Sequence, residues 1–212
     1  MNHEMNHEMN KEAIRGFFDK CAPGWDADMI RNEEVIAKIL DNAGIKPGIR
    51  VLDVACGTGV LFPDYLSRDV AGVTAVDISP EMVRIAKENC DDPKVEIICA
   101  DIEEYDGVDE CTGTGEEGGG FDVCMVYNAF PHFPDPEELI KTLAAKVKPG
   151  GRLSIAHSMS RAKLEEHHKG CAAHVSLSLP EADELARMME DYFDVDCVIS
   201  DDVMYQVAGT RR

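Results

Sequence analysis

Three acidic residues, each closing or following a short apolar run, are the first candidates for chemistry. Asp53 lies in Arg50-Val-Leu-Asp-Val54, which runs on into Ala55-Cys-Gly-Thr-Gly59. Asp77 ends Gly72-Val-Thr-Ala-Val76, and Asp101 follows Val95-Glu-Ile-Ile-Cys99. Glycines beside a carboxylate permit positive φ and let a ligand approach the backbone closely. Asp77 stands 20 residues after Gly57, the separation of a carboxylate that receives ribose hydroxyls. Asp101 has the chemistry to accept a hydrogen bond from an exocyclic amine such as that of adenine. His132 and His157 follow two later apolar runs. Both are candidate general bases, because an imidazole near its usual pKa of ~6.5 accepts a proton at neutral pH.

A sheet edge must carry these residues. Short apolar runs at Arg50–Val54, Gly72–Val76, Val95–Cys99, Phe121–Tyr127 and Arg152–Ala156 alternate with helical patterns, which predicts a parallel α/β sheet with right-handed crossovers. The helices are expected over Lys11–Lys20, from Ile30 to Leu40, from Val60 to Ser67, after the Ser79 cap and Pro80, and over Asp135–Val147. Two more are expected over Arg161–Lys169, with Gly170 as a breaker, and over Glu181–Tyr192. Lys148-Pro-Gly-Gly151 reads as a turn. The last two runs, Val195–Ile199 and Val203–Val207, are joined by a link too short for a crossover, so they are expected to pair antiparallel. In such doubly wound sheets a ligand binds beyond the carboxyl ends of the strands, where Asp53, Asp77 and Asp101 fall.

Val51-Leu-Asp-Val-Ala-Cys-Gly-Thr-Gly59 resembles motif I of class I S-adenosylmethionine-dependent methyltransferases. Ala75-Val-Asp-Ile-Ser-Pro-Glu-Met82 resembles their second motif and Ala100-Asp-Ile102 their adenine-side motif. Tyr127-Asn-Ala-Phe-Pro-His-Phe-Pro-Asp-Pro136 and Val147-Lys-Pro-Gly-Gly-Arg-Leu153 resemble the later ones. The likeness runs from about Phe17 to Gly209 and is strongest to small-molecule members such as quinone-biosynthesis C-methyltransferases. Phe18-Asp-Lys-Cys-Ala-Pro-Gly-Trp-Asp26 resembles their N-terminal lid. The resemblance implies a Rossmann-like, doubly wound, seven-stranded sheet with one antiparallel C-terminal strand. It implies that S-adenosylmethionine binds with Asp53, Ala55, Gly57, Thr58 and Gly59 at its amino-acid end. Asp77 would take the ribose hydroxyls, with Ile78 and Met82 against the adenine or ribose, and Asp101 and Ile102 would hold the adenine edge. Asn128 would sit near the transferred methyl, and His132 is the preferred base because its motif borders the acceptor. Ala55 departs from the glycine that many members carry there.

Other readings fit less well. A dinucleotide site wants a third glycine, and Phe62 stands in its place. None of the five tyrosines is followed four positions later by lysine, as a short-chain dehydrogenase requires. With 41 acidic and 21 basic residues the net charge is −20, which disfavours nucleic acids and anionic membranes as partners. Asn128-Ala-Phe-Pro131 also departs from the pattern of amino-directed nucleic-acid methyltransferases. The acceptor is therefore expected to be a small molecule. A module that binds the cofactor without transferring methyl is the alternative. Another is an enzyme using a bound metal or a thiol or metalloid acceptor, since His167-His-Lys-Gly-Cys-Ala-Ala-His174 offers four soft ligands. No metal ligand is assigned.

The 212 residues suit one domain from residue 11 onward, with residues 11–45 as a helical lid. The repeat at residues 1–10 reads as a disordered leader, and the Gly- and Glu-rich stretch at 106–120 as a flexible insert. Eight cysteines without a C-x-x-C pair, no signal-like N-terminus and no apolar run of membrane length predict a cytoplasmic protein with buried, reduced thiols, acting as a monomer or homodimer.

Overall fold

The computed structural model describes residues 10–27, 31–106 and 120–212, without the side chains of 167–171. Of the leader only Asn10 is described, and nearly all of the expected insert lies outside the described residues. In chain order the elements are α1 (Lys11–Cys21), a 3-10 turn (Ala22–Gly24), α2 (Glu33–Ala43), β1 (Arg50–Val54), α3 (Phe62–Ser67), β2 (Gly72–Asp77), α4 (Pro80–Asn89) and β3 (Val95–Cys99). They continue with β4 (Phe121–Tyr127), a 3-10 turn (Phe130–His132), α5 (Pro136–Lys146), β5 (Val147–His157), α6 (Arg161–Cys171), α7 (Ala182–Met189), β6 (Phe193–Ser200) and β7 (Tyr205–Arg211).

The strands form one seven-stranded sheet in the order β3-β2-β1-β4-β5-β7-β6. The first five pair in parallel, and β7 runs antiparallel to both β5 and β6. The order reverses between β1 and β4, and the candidate residues gather there and along the adjacent edge. The period-2 alternation of strand side chains divides the core. Leu52, Val54, Cys124 and Val126 pack with α5 and α7 on one face. Val51, Val123, Met125 and Tyr127 pack with α2, α3 and α4 on the other. Burial on both faces explains why the central strands read as continuous apolar runs.

Helix starts follow side-chain caps. Asn10, Asn32, Ser79 and Asp135 each accept a backbone N–H from the first turn of α1, α2, α4 and α5.

Several sequence expectations are corrected. The third helix begins at Phe62 rather than Val60, because Gly59 and Val60 belong to the ligand-loop turn and Phe62 N–H bonds back to Gly59. Lys148–Gly151 is not a separate turn after the helix. β5 starts at Val147 and carries these residues as an irregularity between the Phe121–Val147 and Val123–Arg152 pairs. Gly170 does not break α6, which runs to Cys171. Both C-terminal strands are longer than the apolar pattern, since Arg211 and Thr210 pair with Phe193 and Asp194 across the antiparallel ladder. The thiols are also less uniformly buried than expected. Cys56 and Cys124 are buried, whereas Cys99 is exposed.

Candidate active site

The loop after β1 is built on left-handed backbone. Ala55, Gly57 and Gly59 have φ of 55°, 57° and 87°. At Gly59 a β-carbon would lie 2.3 Å from the Phe62 ring, so packing demands glycine. At Gly57 the space ahead is open up to Trp25 Nε1, 4.0 Å away. Cys56 N–H anchors the loop to the Val76 carbonyl, at the end of the neighbouring strand.

Asp77 organises this loop. One carboxylate oxygen accepts the Gly57 N–H at 2.8 Å, and the other accepts the Ser79 N–H at 2.8 Å. Burial nevertheless pushes its pKa up to about 6, the two N–H donors oppose that, and Asp19 adds to it. Asp53 lies under the same loop. Burial and the Asp77 charge raise its pKa to about 8, with the Tyr65 hydroxyl opposing. A set of carboxylates, each disfavouring the ionisation of the next, calls for a cationic or hydroxyl-rich ligand.

The N-terminal segment lies across these strand ends. Lys11 pairs with Asp101 and Glu103 beyond β3. Asp19 on α1 accepts the Ser79 hydroxyl at 2.6 Å beyond β2. Asp26 accepts the Thr58 hydroxyl at 2.6 Å beyond β1 and the Asn89 amide at 3.2 Å from the end of α4. The Phe18 ring stands edge-on to Trp25 and to His132, at 5.7 and 4.9 Å between centroids.

Beyond β4, Asn128 has φ of 55° and its N–H bonds to the Ala156 carbonyl at 2.8 Å. Its side chain exchanges two hydrogen bonds with Ser158 after β5, at 2.9 and 3.2 Å. His132 bonds through Nδ1 to the Val175 carbonyl at 2.8 Å.

The structure thus brings Asp53, Ala55, Gly57, Thr58, Gly59, Asp77, Asp101, Asn128 and His132 to the carboxyl ends of adjacent strands. Ile78 is half-buried, whereas Met82 and Ile102 are buried. His157 lies fully buried beside Tyr205, which takes it off the surface an acceptor would touch. Four of the site's residues were not singled out from the sequence: Asp19, Asp26, Asn89 and Ser158. Asp19 and Asp26 fall inside the Phe18–Asp26 stretch that resembles a lid, without a role of their own there, and Asn89 and Ser158 have no such signal. His167, His168 and Cys171 lie outside the described side chains, so the proposed soft-ligand cluster has no described geometry. Among the described residues no group of three or more potential metal ligands occurs, and no helix is long and apolar enough to cross a membrane.

The sequence profile of a methyltransferase domain matches residues 51–151, the stretch that contains β1 to the start of β5. That stretch is a methyltransferase domain of the class I S-adenosylmethionine-dependent type. Similar to this chain in sequence is the ubiquinone biosynthesis O-methyltransferase of Xanthomonas campestris pv. campestris, 32% identical over 142 residues. That match covers 62% of this chain and 54% of the relative, so the chain spans about half the length of the curated relatives it matches. Two solved structures share the fold at 18% identity. One is the Haloferax volcanii complex of a methyltransferase activator with its methyltransferase partner, with a TM-score of 0.73 over 92% of this chain and 97% of that one. The other is magnesium protoporphyrin IX methyltransferase from Synechocystis with bound S-adenosylhomocysteine, with a TM-score of 0.68 over 96% and 100%. The family's cofactor is S-adenosylmethionine, and the donor set fits it. Its ammonium and sulfonium suit the acidic cluster around Asp53 and Asp77, and its ribose diol suits a carboxylate at the end of β2.

Proposed function

We propose that this protein transfers a methyl group from S-adenosylmethionine to a small-molecule acceptor. The observation that carries this is the convergence of Asp77 and Asp53 on the Gly57–Gly59 loop, beneath the lid formed by α1 and the turn after it. Asp77 holds the loop in shape and presents its remaining acceptor capacity to the ribose. Asp53 and the loop border the amino-acid end. Asp101, Ile78, Met82 and Ile102 flank the adenine side, and Lys11 shields Asp101 in the closed lid. Asn128, fixed by its left-handed backbone and Ser158, borders the transferred methyl.

When bound, the cofactor supplies a methyl already activated as a sulfonium. The chain's own contribution is alignment and exclusion of water. The backbone of the loop sets the donor's position, and Phe18 and Trp25 cover it. His132 takes a proton from an acceptor that arrives protonated. The net charge of −20 supports a small acceptor over a nucleic acid, and the free, buried thiols of Cys56 and Cys124 support a cytoplasmic setting.

Calorimetry with S-adenosylmethionine, followed by turnover across a panel of hydroxyl, thiol, amine and metalloid acceptors, tests the reading. Binding with turnover of at least one acceptor is expected. Absence of binding overturns it, and binding without any turnover assigns the chain to a cofactor-holding module instead.

A further inference from the structure

Helix α1 brings to the end of β2 a carboxylate that the three strand-end aspartates do not account for. Resting on the methyl-transfer reading, we infer that Asp19 is a second ribose ligand: Asp19 from the lid and Asp77 from the sheet together accept the hydroxyls of the cofactor's ribose, so that α1 reads the diol.

One serine brings the two carboxylates together. The Ser79 N–H donates to Asp77 Oδ1 at 2.8 Å, and the Ser79 hydroxyl donates to Asp19 Oδ1 at 2.6 Å. Ser79 and Asp77 are buried, whereas Asp19 is half-buried. Asp19 accepts one more hydrogen bond from the described residues, the Glu81 N–H at 3.3 Å, and that bond also falls on Oδ1. Oδ2 is the oxygen it offers a ligand.

Capping does not explain Asp19. α4 already has its cap, because the Ser79 hydroxyl oxygen accepts the Met82 N–H at 3.1 Å and Pro80 at the first helical position has no N–H to satisfy. The bond from Glu81 is longer than the usual N–H···O range. Electrostatics does not favour the arrangement either. Asp19 adds to the upward push on the Asp77 carboxyl, since each negative charge disfavours the other. Two carboxylates held on one serine gain from a ligand that donates a hydrogen bond to each. A ribose diol is such a ligand, with two adjacent O–H donors.

The helix is anchored on either side of this point. Eight residues before Asp19, Lys11 pairs with Asp101 and Glu103 beyond β3. Seven residues after it, Asp26 accepts the Thr58 hydroxyl beyond β1. Asp19 falls between these anchors at the end of β2, the strand that lies between β3 and β1. Ile14, on the same helix, packs with Ala172 and Val175.

The pair sets a specificity. Ionised carboxylates accept and do not donate, so ligand hydroxyls satisfy them. Removing one hydroxyl leaves an acceptor without its donor, and a site built to hydrogen-bond a hydroxyl rejects the analogue that lacks it. A phosphate on the ribose would meet two like charges and is disfavoured.

The test uses the full chain and measures binding alone. Calorimetry compares S-adenosylhomocysteine with its 2′-deoxy and 3′-deoxy analogues, on the unaltered protein and on Asp19→Asn, which keeps an oxygen acceptor for Ser79 and removes the charge. The variant is expected to melt as the unaltered protein does and to bind S-adenosylhomocysteine roughly 10-fold more weakly. With one of the deoxy analogues the two proteins should bind alike, because the hydroxyl that Asp19 reads is gone. Asp19→Ala provides a second arm, with the same loss and the same convergence on that analogue. Unchanged affinity for S-adenosylhomocysteine in both variants overturns the inference. So does a loss that persists in full with both analogues, which would make Asp19 a strut of the lid alone. Deoxy analogues that bind the unaltered protein as tightly as S-adenosylhomocysteine also overturn it. Failure of the unaltered protein to bind S-adenosylmethionine or S-adenosylhomocysteine at all is a separate result, which removes the methyl-transfer reading and this inference with it.

Discussion

The Thr58 hydroxyl donates to Asp26 Oδ1 at 2.6 Å, tying the glycine loop after β1 to the turn that follows α1. Asn89 completes the joint by donating to Asp26 at 3.2 Å and to the Thr58 carbonyl at 3.1 Å. Trp25, next to Asp26, is thereby held over Gly57. It is the chain's one tryptophan and is 38% exposed. Its emission should therefore shift on titration with S-adenosylmethionine. Asp26→Ala should weaken binding several-fold, by roughly the ~1 kcal/mol of one lost hydrogen-bonded latch. A titration that leaves the fluorescence unmoved while calorimetry records binding would show that Trp25 does not cover the cofactor.

Gly57 and Gly59 should respond differently to alanine. Both sit at positive φ, which costs an L-residue about 1–2 kcal/mol. Only at Gly59 does the new methyl collide with the buried Phe62 ring. Gly59→Ala should lose roughly 2–5 kcal/mol of stability, whereas Gly57→Ala should lose nearer ~1 kcal/mol and show its main effect on cofactor affinity. Thermal melts and calorimetry on the two variants make the comparison. Equal destabilisation would contradict the packing argument.

Asp77→Ala removes an acceptor shared by Gly57 and Ser79 as well as the ribose partner. Cofactor affinity should fall by roughly 1–3 kcal/mol, the range for losing a charged hydrogen-bonding group. Asp77→Asn retains one oxygen acceptor and should lose less. Unchanged affinity in the alanine variant would move the ribose site elsewhere.

Much of the placement of the candidate residues is legible in the sequence because strand ends announce themselves. Asp53, Asp77 and Asp101 each close or follow a β-rich apolar run, and a parallel sheet forces such ends to one edge. The cover was harder to read. Asp19 and Asp26 look like solvated charges on a helix and a turn, and only tertiary folding brings them 60 and 32 residues along the chain to Ser79 and Thr58. The same holds for Ser158, whose partner Asn128 is 30 residues away. Local pattern also misjudged Gly170, since a glycine inside a helix costs only about 1 kcal/mol and α6 continues through it. His157 was misread for a related reason. A polar residue at a strand end suggests exposure, but β7 and Tyr205 close over it.

The two buried carboxylates give the site a defined response to pH. Burial raises Asp77 from 3.8 to about 6 and Asp53 from 3.8 to about 8 in the folded chain. The folded state therefore binds more protons than the unfolded state between about pH 4 and the raised values. By linkage, these groups lower stability as pH rises through that window, and their cost is absent below it. A cationic cofactor reverses the preference, because it favours the ionised carboxylates. S-adenosylmethionine affinity should accordingly rise from about pH 5.5 to 8.5, with proton release on binding, visible as a dependence of the calorimetric heat on the buffer's ionisation enthalpy. S-adenosylhomocysteine lacks the sulfonium charge and should show a shallower rise. Proton uptake on binding, or affinities that fall with pH for both ligands, would mean that Asp53 does not face the cofactor's positive end and that Asp77 does not ionise against the ribose.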